Sequence, residues 1–600
     1  HSTKNLLRTA GGSEKSRKKA VRIVTTGNMI LSNKIALKQF KISIGIYEVA
    51  AFAIIIVATV LRILLTAQGW PMTNSDESTM GLMALHIAYH GEHPIFFYGQ
   101  AYMGSLEAYI AAGLFRLFGP SVFMLRLGII VIFALFLVSM YLLTSLLYSK
   151  KLALVTLALL SLGSQNLLFM QLIAIGGYAE TLLFGSVLLL LATWLAFTCT
   201  QDRSTPLSKW RVAAYGAWGL IAGIAIWSDL LVLPFVITAG LILIVLCRSE
   251  RRVSTVSCLL LGLLIGVFPV ILYNLTAPVL KGTLPTSVGI LLAGSGKIIS
   301  PLGILQGMLG TLLVSLPSST SALPLCPVAT TILWPLSWHS NPYVIQCSAI
   351  HGLWGLGFIV LFVMATMFAV KNYRYYRKRW RQSSAEGEAS SLDDRQAVIR
   401  HFARLMILAA SGFTLLLYAI SYPASTTPAS SGRYLDVLLI AIPAVLAPLW
   451  GVAKSVTKFA KASTILRMGI LIFIGIVFLN GTISTFARVP ATQVANRQQD
   501  ALVHNLLRIG ATHIYSEYWT CDRLIFASNE RIICSVVGYL LQPGQDRYLP
   551  YRTIVQSDPH AAYAFPIGSP QAATFARNVS LSRVHYRRFV FDNYVISVSY

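Results

Sequence analysis

The feature that most constrains this chain is a series of apolar runs, each about 20 residues long. They fall at roughly 42–66, 122–147, 152–172, 178–198, 253–275, 350–370, 402–420, 433–450 and 466–486. A helix of that length crosses the ~30 Å hydrocarbon core of a bilayer. The run 212–247 is too long for one crossing and is expected to break near Trp227, Ser228 and Asp229. The run 104–119 (GSLEAYIAAGLFRLFG) is short and fits either a crossing or a dip into the interface. In lipid every backbone polar group must be satisfied within the protein, so only helices and closed barrels can span. Runs of this length select helices, and the expected fold is an α-helical polytopic membrane protein with about 11 to 13 transmembrane helices.

Charge then orients the chain. Of the 600 residues, 55% are hydrophobic and 12% charged, against roughly 25% charged in an average soluble domain. The net charge of +26 would suggest nucleic acid in a soluble protein. Here Lys and Arg gather in loops between apolar runs, as the positive-inside rule expects, and no soluble basic domain is left to grip nucleic acid. No nucleic-acid partner is expected; the bilayer is the first partner. Lys34, Lys38, Lys41 and the basic loops 247–252, 371–382 and 454–467 are read as cytoplasmic. The loops 67–103, 276–349 and 421–433, with everything after about 488, then lie outside a plasma membrane. Residues 1–41 are basic and polar, lack the apolar core of a signal peptide, and read as a disordered cytoplasmic arm. Residues 42–487 form the membrane domain. In 488–600 the apolar runs shorten, and alternating stretches such as RFVFDNYVISVSY (588–600) read as strands of a small mixed α/β extracytoplasmic domain. Outside is where disulfides persist. Cys521 with Cys534, and Cys326 with Cys347, are candidate pairs that spacing alone does not establish.

The first outer loop holds PMTNSDESTMGLMA (71–84), with adjacent acids Asp76 and Glu77 where the chain leaves the first span. Met80, Met83, Ala84, Ile87 and Ala88 follow at helical spacing, as in an amphipathic helix lying in the interface. On that pattern the acids sit in a first helical turn, where the dipole favours them, with Ser75 or Asp76 as N-cap. The chemical reading is a partly desolvated carboxylate tuned to act as general base. The same loop carries His86, Tyr89, His90, His93, Tyr98, Gln100, Tyr102 and Glu107, and long polar loops on a rigid scaffold carry function. His86, His90 and His93 suit metal ligation or a half-buried interfacial helix. No dense acidic cluster offers itself to Mg²⁺ or Mn²⁺, so no cofactor is expected, with a divalent metal left open. Arg433 and Tyr434 open a span on the outer side, as snorkelling anchors or as a clamp for phosphate, whose geometry a guanidinium matches. Lys281 and Lys297 are candidates for the same task. Glu180 follows Gly176, Gly177 and Tyr178 at a span entrance, where an ionisable residue is either a dipole-favoured first-turn acid or functional. Asp229 either caps a turn or serves the site. No GxxxxGK[ST] phosphate loop occurs, so nothing points to ATP-driven transport.

Asp76-Glu77, the Gly91–Pro94 element, Tyr98-Gly99 and LFRLFGPSVFMLRL (114–127) occur in that order. Together they resemble the first outer loop of the GT-C superfamily of membrane glycosyltransferases. The nearest branch holds the protein O-mannosyltransferases and the aminoarabinose transferase of lipid A. GGYAET (176–181), IAGIAIWSDLLVLPF (221–235) and SGRYLDVLLIAIP (431–443) extend the resemblance across about 42–450. It implies transfer of a sugar from a polyprenyl-phosphate carrier to an acceptor at the outer face, with inversion, and usually without a metal. Carried over by position, Asp76 is the general base and Glu77 its neighbour. Arg433, Tyr434, Lys281 and Lys297 would serve the donor phosphate, and His93, Tyr98, Gln100, Glu107, Tyr178 and Glu180 the substrates. The competing readings are a transporter or lipid flippase and a non-catalytic cell-envelope assembly protein. No repeated halves with broken helices, the mark of many transporters, are visible. Neither the sugar nor the acceptor (protein, glycolipid or cell-wall polymer) is legible.

Overall fold

The computed structural model describes residues 45–200, 202–278, 282–292, 300–322, 342–386, 391–450, 458–581 and 585–599. Among them, nine helices are long and apolar enough to cross a membrane. They include Ile46–Ala67, Val122–Leu147, Tyr178–Phe197, Val253–Thr276 and Pro428–Trp450. The remaining expected crossings fall on shorter or less apolar helices, Lys150–Ser161, Lys209–Ser228 and Leu233–Leu246. The long run 212–247 does break at the expected point: one helix ends at Ser228, and Asp229 caps the next turn by accepting from Leu231 N at 2.8 Å. The run 104–119 forms a helix, Leu106–Phe118. At 13 residues it is about 20 Å long, short of the bilayer core. It buries Ala108, Ala111, Ala112 and Phe115 and exposes Leu117 and Phe118.

The stretch 276–349, expected to be an outer loop, instead contains the apolar helical segment Pro301–Ser319. Its glycines and serines dilute the apolar signal, yet they are what lets it pack. Ser315 Oγ donates to Pro428 O at 2.8 Å, and Ser319 Oγ to Gly432 O at 2.7 Å. Small residues also set the crossing of Lys209–Ser228 and Val253–Thr276. A Cβ on Gly219 would lie 2.0 Å from Leu259 O, and one on Gly266 2.4 Å from Leu220 O. Between helices in lipid, where burial of apolar surface drives nothing, such backbone approach is a main source of attraction.

One end of the bundle gathers basic side chains. Lys150 pairs with Glu48 at 2.5 Å, Arg211 with Glu250 at 2.9 Å, and Arg395 Nη2 donates to Cys199 O at 3.1 Å. The other end carries the 488–600 region. There the helix Val489–Arg508 leads into a five-stranded sheet. The strands are β1 (His513–Ser516), β2 (Ile533–Val536), β3 (Ala562–Pro566), β4 (Tyr586–Phe591) and β5 (Tyr594–Ser599), in the order β2-β1-β3-β5-β4. β1 runs parallel to β2 and β3, through crossover helices Tyr518–Ala527 and Leu549–Ser557, and β5 pairs antiparallel with β3 and β4. Cys521 and Cys534 are joined in a disulfide between the first crossover helix and β2. Cys326 lies outside the described residues.

This domain sits on the first loop of the membrane domain. Tyr518, Asp522 and Phe526, four apart on one helix face, meet the helix Ser75–Leu85. Ser75 Oγ donates to Tyr518 O at 2.7 Å, and Thr79 Oγ1 to Asp522 Oδ2 at 2.7 Å. The Phe526 ring lies where a Cβ on Gly81 would be, 2.5 Å away, so only glycine admits it.

Candidate active site

The helix Ser75–Leu85 begins with Asn74, whose side-chain oxygen accepts from Glu77 N at 2.8 Å. The cap is therefore Asn74 and neither Ser75 nor Asp76, which leaves the Asp76 carboxylate for other partners. Glu77 turns inward. It is fully buried and takes a two-pronged contact from Arg126, Nε to Oε1 at 2.7 Å and Nη2 to Oε2 at 2.6 Å, with Ala174 N donating to Oε1 at 3.3 Å.

Asp76 faces the 488–600 domain and keeps 19% of its side chain exposed. Arg547 Nη2 donates to Asp76 Oδ1 at 2.9 Å and Tyr518 Oη donates to the same oxygen at 2.7 Å. Arg547 Nε donates to Tyr518 Oη at 2.8 Å, closing a triangle. With the Gln100 amide oriented to match its neighbours, its oxygen accepts from Arg547 Nη1 at 2.9 Å. Arg547 also lies 5.2 Å above the Phe97 ring. Burial and the Asp76 charge hold the Tyr518 phenol above its ordinary pKa, so it remains a donor.

The membrane domain supplies a second cation. The Arg433 guanidinium lies 5.5 Å from the Tyr178 ring and 5.7 Å from that of Tyr434, and the two rings stack at 6.3 Å. Its Nε is buried and has no hydrogen-bond partner among the described residues. Arg433 is close enough to Asp76 for their charges to interact. Tyr102 lies within electrostatic reach of Arg433, Arg547 and Asp229. The loop bearing Tyr102 is pinned to the helix break at 228–229: Gly104 N donates to Ser228 O at 2.8 Å and Trp227 Nε1 to Ile95 O at 2.8 Å.

The other residues singled out in the sequence divide. Gln100 joins Asp76 through Arg547, and Tyr178 and Tyr434 gather at Arg433. Glu107 and Glu180 are buried side by side, Glu107 accepting from Gly176 N at 3.0 Å. Tyr98 belongs to a separate cluster, donating to Glu92 Oε2 at 2.5 Å beside His86. His93 is exposed on the loop. Lys281 and Lys297 lie outside the described residues. Tyr518 and Arg547, which touch Asp76, carry no local signal in the sequence: they stand 442 and 471 residues from it, and nothing in PGQDRYLPY marks Arg547.

No family model matches the sequence, and no curated protein matches it significantly. Solved structures do. ArnT from Cupriavidus metallidurans bound to undecaprenyl phosphate aligns at a TM-score of 0.50 and 12% identity, over 92% of this chain and 97% of that one. This chain has the GT-C fold. The apo state of the same ArnT aligns at 0.45 and 13% identity, over 87% of this chain and 93% of that one. The archaeal oligosaccharyltransferase AglB from Archaeoglobus fulgidus, in complex with an inhibitory peptide and a dolichol-phosphate, aligns at 0.44 and 11% identity, over 86% and 69%. The sequence pattern anticipates a membrane bundle followed by a small sheet domain, and the resemblance drawn from the first loop anticipates the GT-C fold.

Proposed function

We propose that this protein is a membrane glycosyltransferase that moves a sugar from a polyprenyl-phosphate donor to an acceptor at the outer face, with Asp76 as general base. The observation that carries the reading is the Asp76 carboxylate, partly open and, among the described residues, held through one oxygen. Arg547 and Tyr518 both bond to Oδ1, and we assign Oδ2 to an incoming hydroxyl or amine. Asp76 takes the acceptor's proton as the acceptor atom attacks the anomeric carbon. The bond from that carbon to the phosphate oxygen breaks on the opposite face, so the centre inverts, and the polyprenyl phosphate leaves with the electron pair. Its developing charge is met by Arg433, whose free Nε suits a phosphate oxygen, and by Arg547. Glu77 acts through position, anchoring the first turn to Arg126. The scheme asks for no cofactor.

The carrier assignment is supported by the similar ArnT structure, which is bound to undecaprenyl phosphate. The orientation is supported by the Cys521–Cys534 disulfide at the end away from the basic loops, as an oxidising exterior requires. The test is transfer by purified, reconstituted protein from a panel of radiolabelled polyprenyl-phosphate sugars to crude membrane acceptors. Wild type should transfer label from at least one donor. Asp76→Asn should lose about 10²- to 10⁴-fold, the usual share of a general base, with its fold intact. No transfer from any donor by folded wild type, or full activity in Asp76→Asn, would overturn the reading.

A further inference from the structure

Away from Asp76, the loop helix ends in one wide π-helical turn, His86–His90, a local form enriched at functional sites. Ten residues separate Asp76 from His86, about 15 Å along a helix. The turn brings both imidazoles to one carboxylate of the 488–600 domain. His86 Nε2 lies 3.1 Å from Glu530 Oε1, and His90 Nε2 lies 3.5 Å from Glu530 Oε2. One ligand atom from each of the three residues falls within 4.8 Å of the others. Ligands bound tetrahedrally at ~2.0–2.1 Å stand about 3.3 Å apart, close to the 3.1 and 3.5 Å between each imidazole and the carboxylate.

The surroundings match what a metal-binding histidine needs. The second nitrogen of His86, Nδ1, is held by the Tyr98 hydroxyl at 2.8 Å, and that hydroxyl donates to Glu92 Oε2 at 2.5 Å. Such a chain from imidazole to carboxylate fixes ring orientation and raises ligand basicity. Tyr551 Oη bridges His86 Nε2 at 2.9 Å and Glu530 Oε1 at 2.8 Å, a contact that an ion bound at Nε2 would displace. Glu530 and its neighbour Asn529 both hold positive φ, 59° and 49°, a conformation rare outside glycine. His86 is buried, whereas the His90 side chain is 48% exposed, which gives an ion a way in.

We propose that His86, His90 and Glu530 form a binding site for a first-row divalent metal of the zinc class, clipping the 488–600 domain to the first loop of the membrane domain. Two imidazoles and a carboxylate suit Zn²⁺, and three protein ligands leave a fourth position for water. The ion would join residues more than 440 positions apart, beside the docking of Tyr518, Asp522 and Phe526. The site stands independently of the transfer chemistry.

The experiment uses full-length protein in detergent, freed of any affinity tag, stripped with chelator and dialysed against Zn²⁺. Wild type should retain about one zinc per chain by elemental analysis and show a higher Tm with zinc than without. Co²⁺ in its place should give the intense visible absorption of a tetrahedral site. His90→Ala, at a half-exposed position, and Glu530→Gln should each lose the bound metal and the Tm rise while eluting as folded protein. Wild type that retains no zinc, or variants that retain as much as wild type, would overturn the proposal. So would zinc that binds wild type without moving Tm.

Discussion

Asp76 and Glu77 are chain neighbours with opposite surroundings, because one residue along a helix turns the side chain by about 100°. Asp76 reaches Arg547 and Tyr518 at a partly open surface, and Glu77 reaches Arg126 in a dry interior. The two positions should therefore fail differently. Glu77→Gln leaves Arg126, itself buried, without a counter-charge. Breaking one side of a buried pair costs about 3–5 kcal/mol, and thermal unfolding should show a large drop in Tm. Adding Arg126→Met removes the stranded charge, and the double variant should regain most of the loss. Asp76→Asn also strands the Arg547 charge, but at a partly open pair, so it should lower Tm less than Glu77→Gln does while transfer collapses. A Tm for Glu77→Gln equal to wild type would show that the pair is not holding the loop. In the sequence the acids were visible as a pair. Their division of labour was not, because it depends on Arg126, 49 residues on, and on a domain at the far end of the chain.

Elements that span lipid announce themselves by length and composition, which is why the spans and the break at Ser228–Asp229 could be read directly. Pro301–Ser319 escaped because its glycines and serines serve packing and weaken the apolar signal. The docking of the helix Tyr518–Ala527 was hidden for another reason: its Tyr, Asp, Phe face meets Ser75, Thr79 and Gly81, and no local pattern links the two. That interface has a pH signature. Burial pushes the Asp522 carboxyl up to about 6 from 3.8, against the opposing Thr79 hydroxyl and Arg547 charge. A raised acid favours its neutral form in the folded protein. The stability it lends is therefore full below about pH 4, falls as pH rises towards 6, and is gone above that. That rise in pKa corresponds to roughly 3 kcal/mol. Asp522→Asn, which keeps an oxygen for Thr79, should flatten the change in Tm between pH 4 and 7 and unfold at a higher temperature than wild type at pH 7. Parallel profiles for the two proteins would show that Asp522 is not the group responsible.

At the scale of the whole molecule, the membrane bundle and the 488–600 domain meet at the carboxylate proposed to do the chemistry. Position alone suggests that the 488–600 domain selects the acceptor. The geometry gives it a nearer task, because Arg547 and Tyr518 come from that domain and close on Asp76 Oδ1. A selectivity module could be altered with transfer retained and acceptor choice broadened. A domain that completes the site cannot. Arg547→Ala should lower transfer to every acceptor by about 10²-fold, the scale of losing one preorganised charge-stabilising donor, without changing their order of preference. Arg547→Lys should recover only part of this. An ammonium is a point charge, and Arg547 uses separate nitrogens for Asp76, Tyr518 and Gln100. Rates measured over several acceptors decide the matter. A uniform fall places the 488–600 domain inside the catalytic unit, and a change in ranking with the best rate preserved would make it a selector of acceptors.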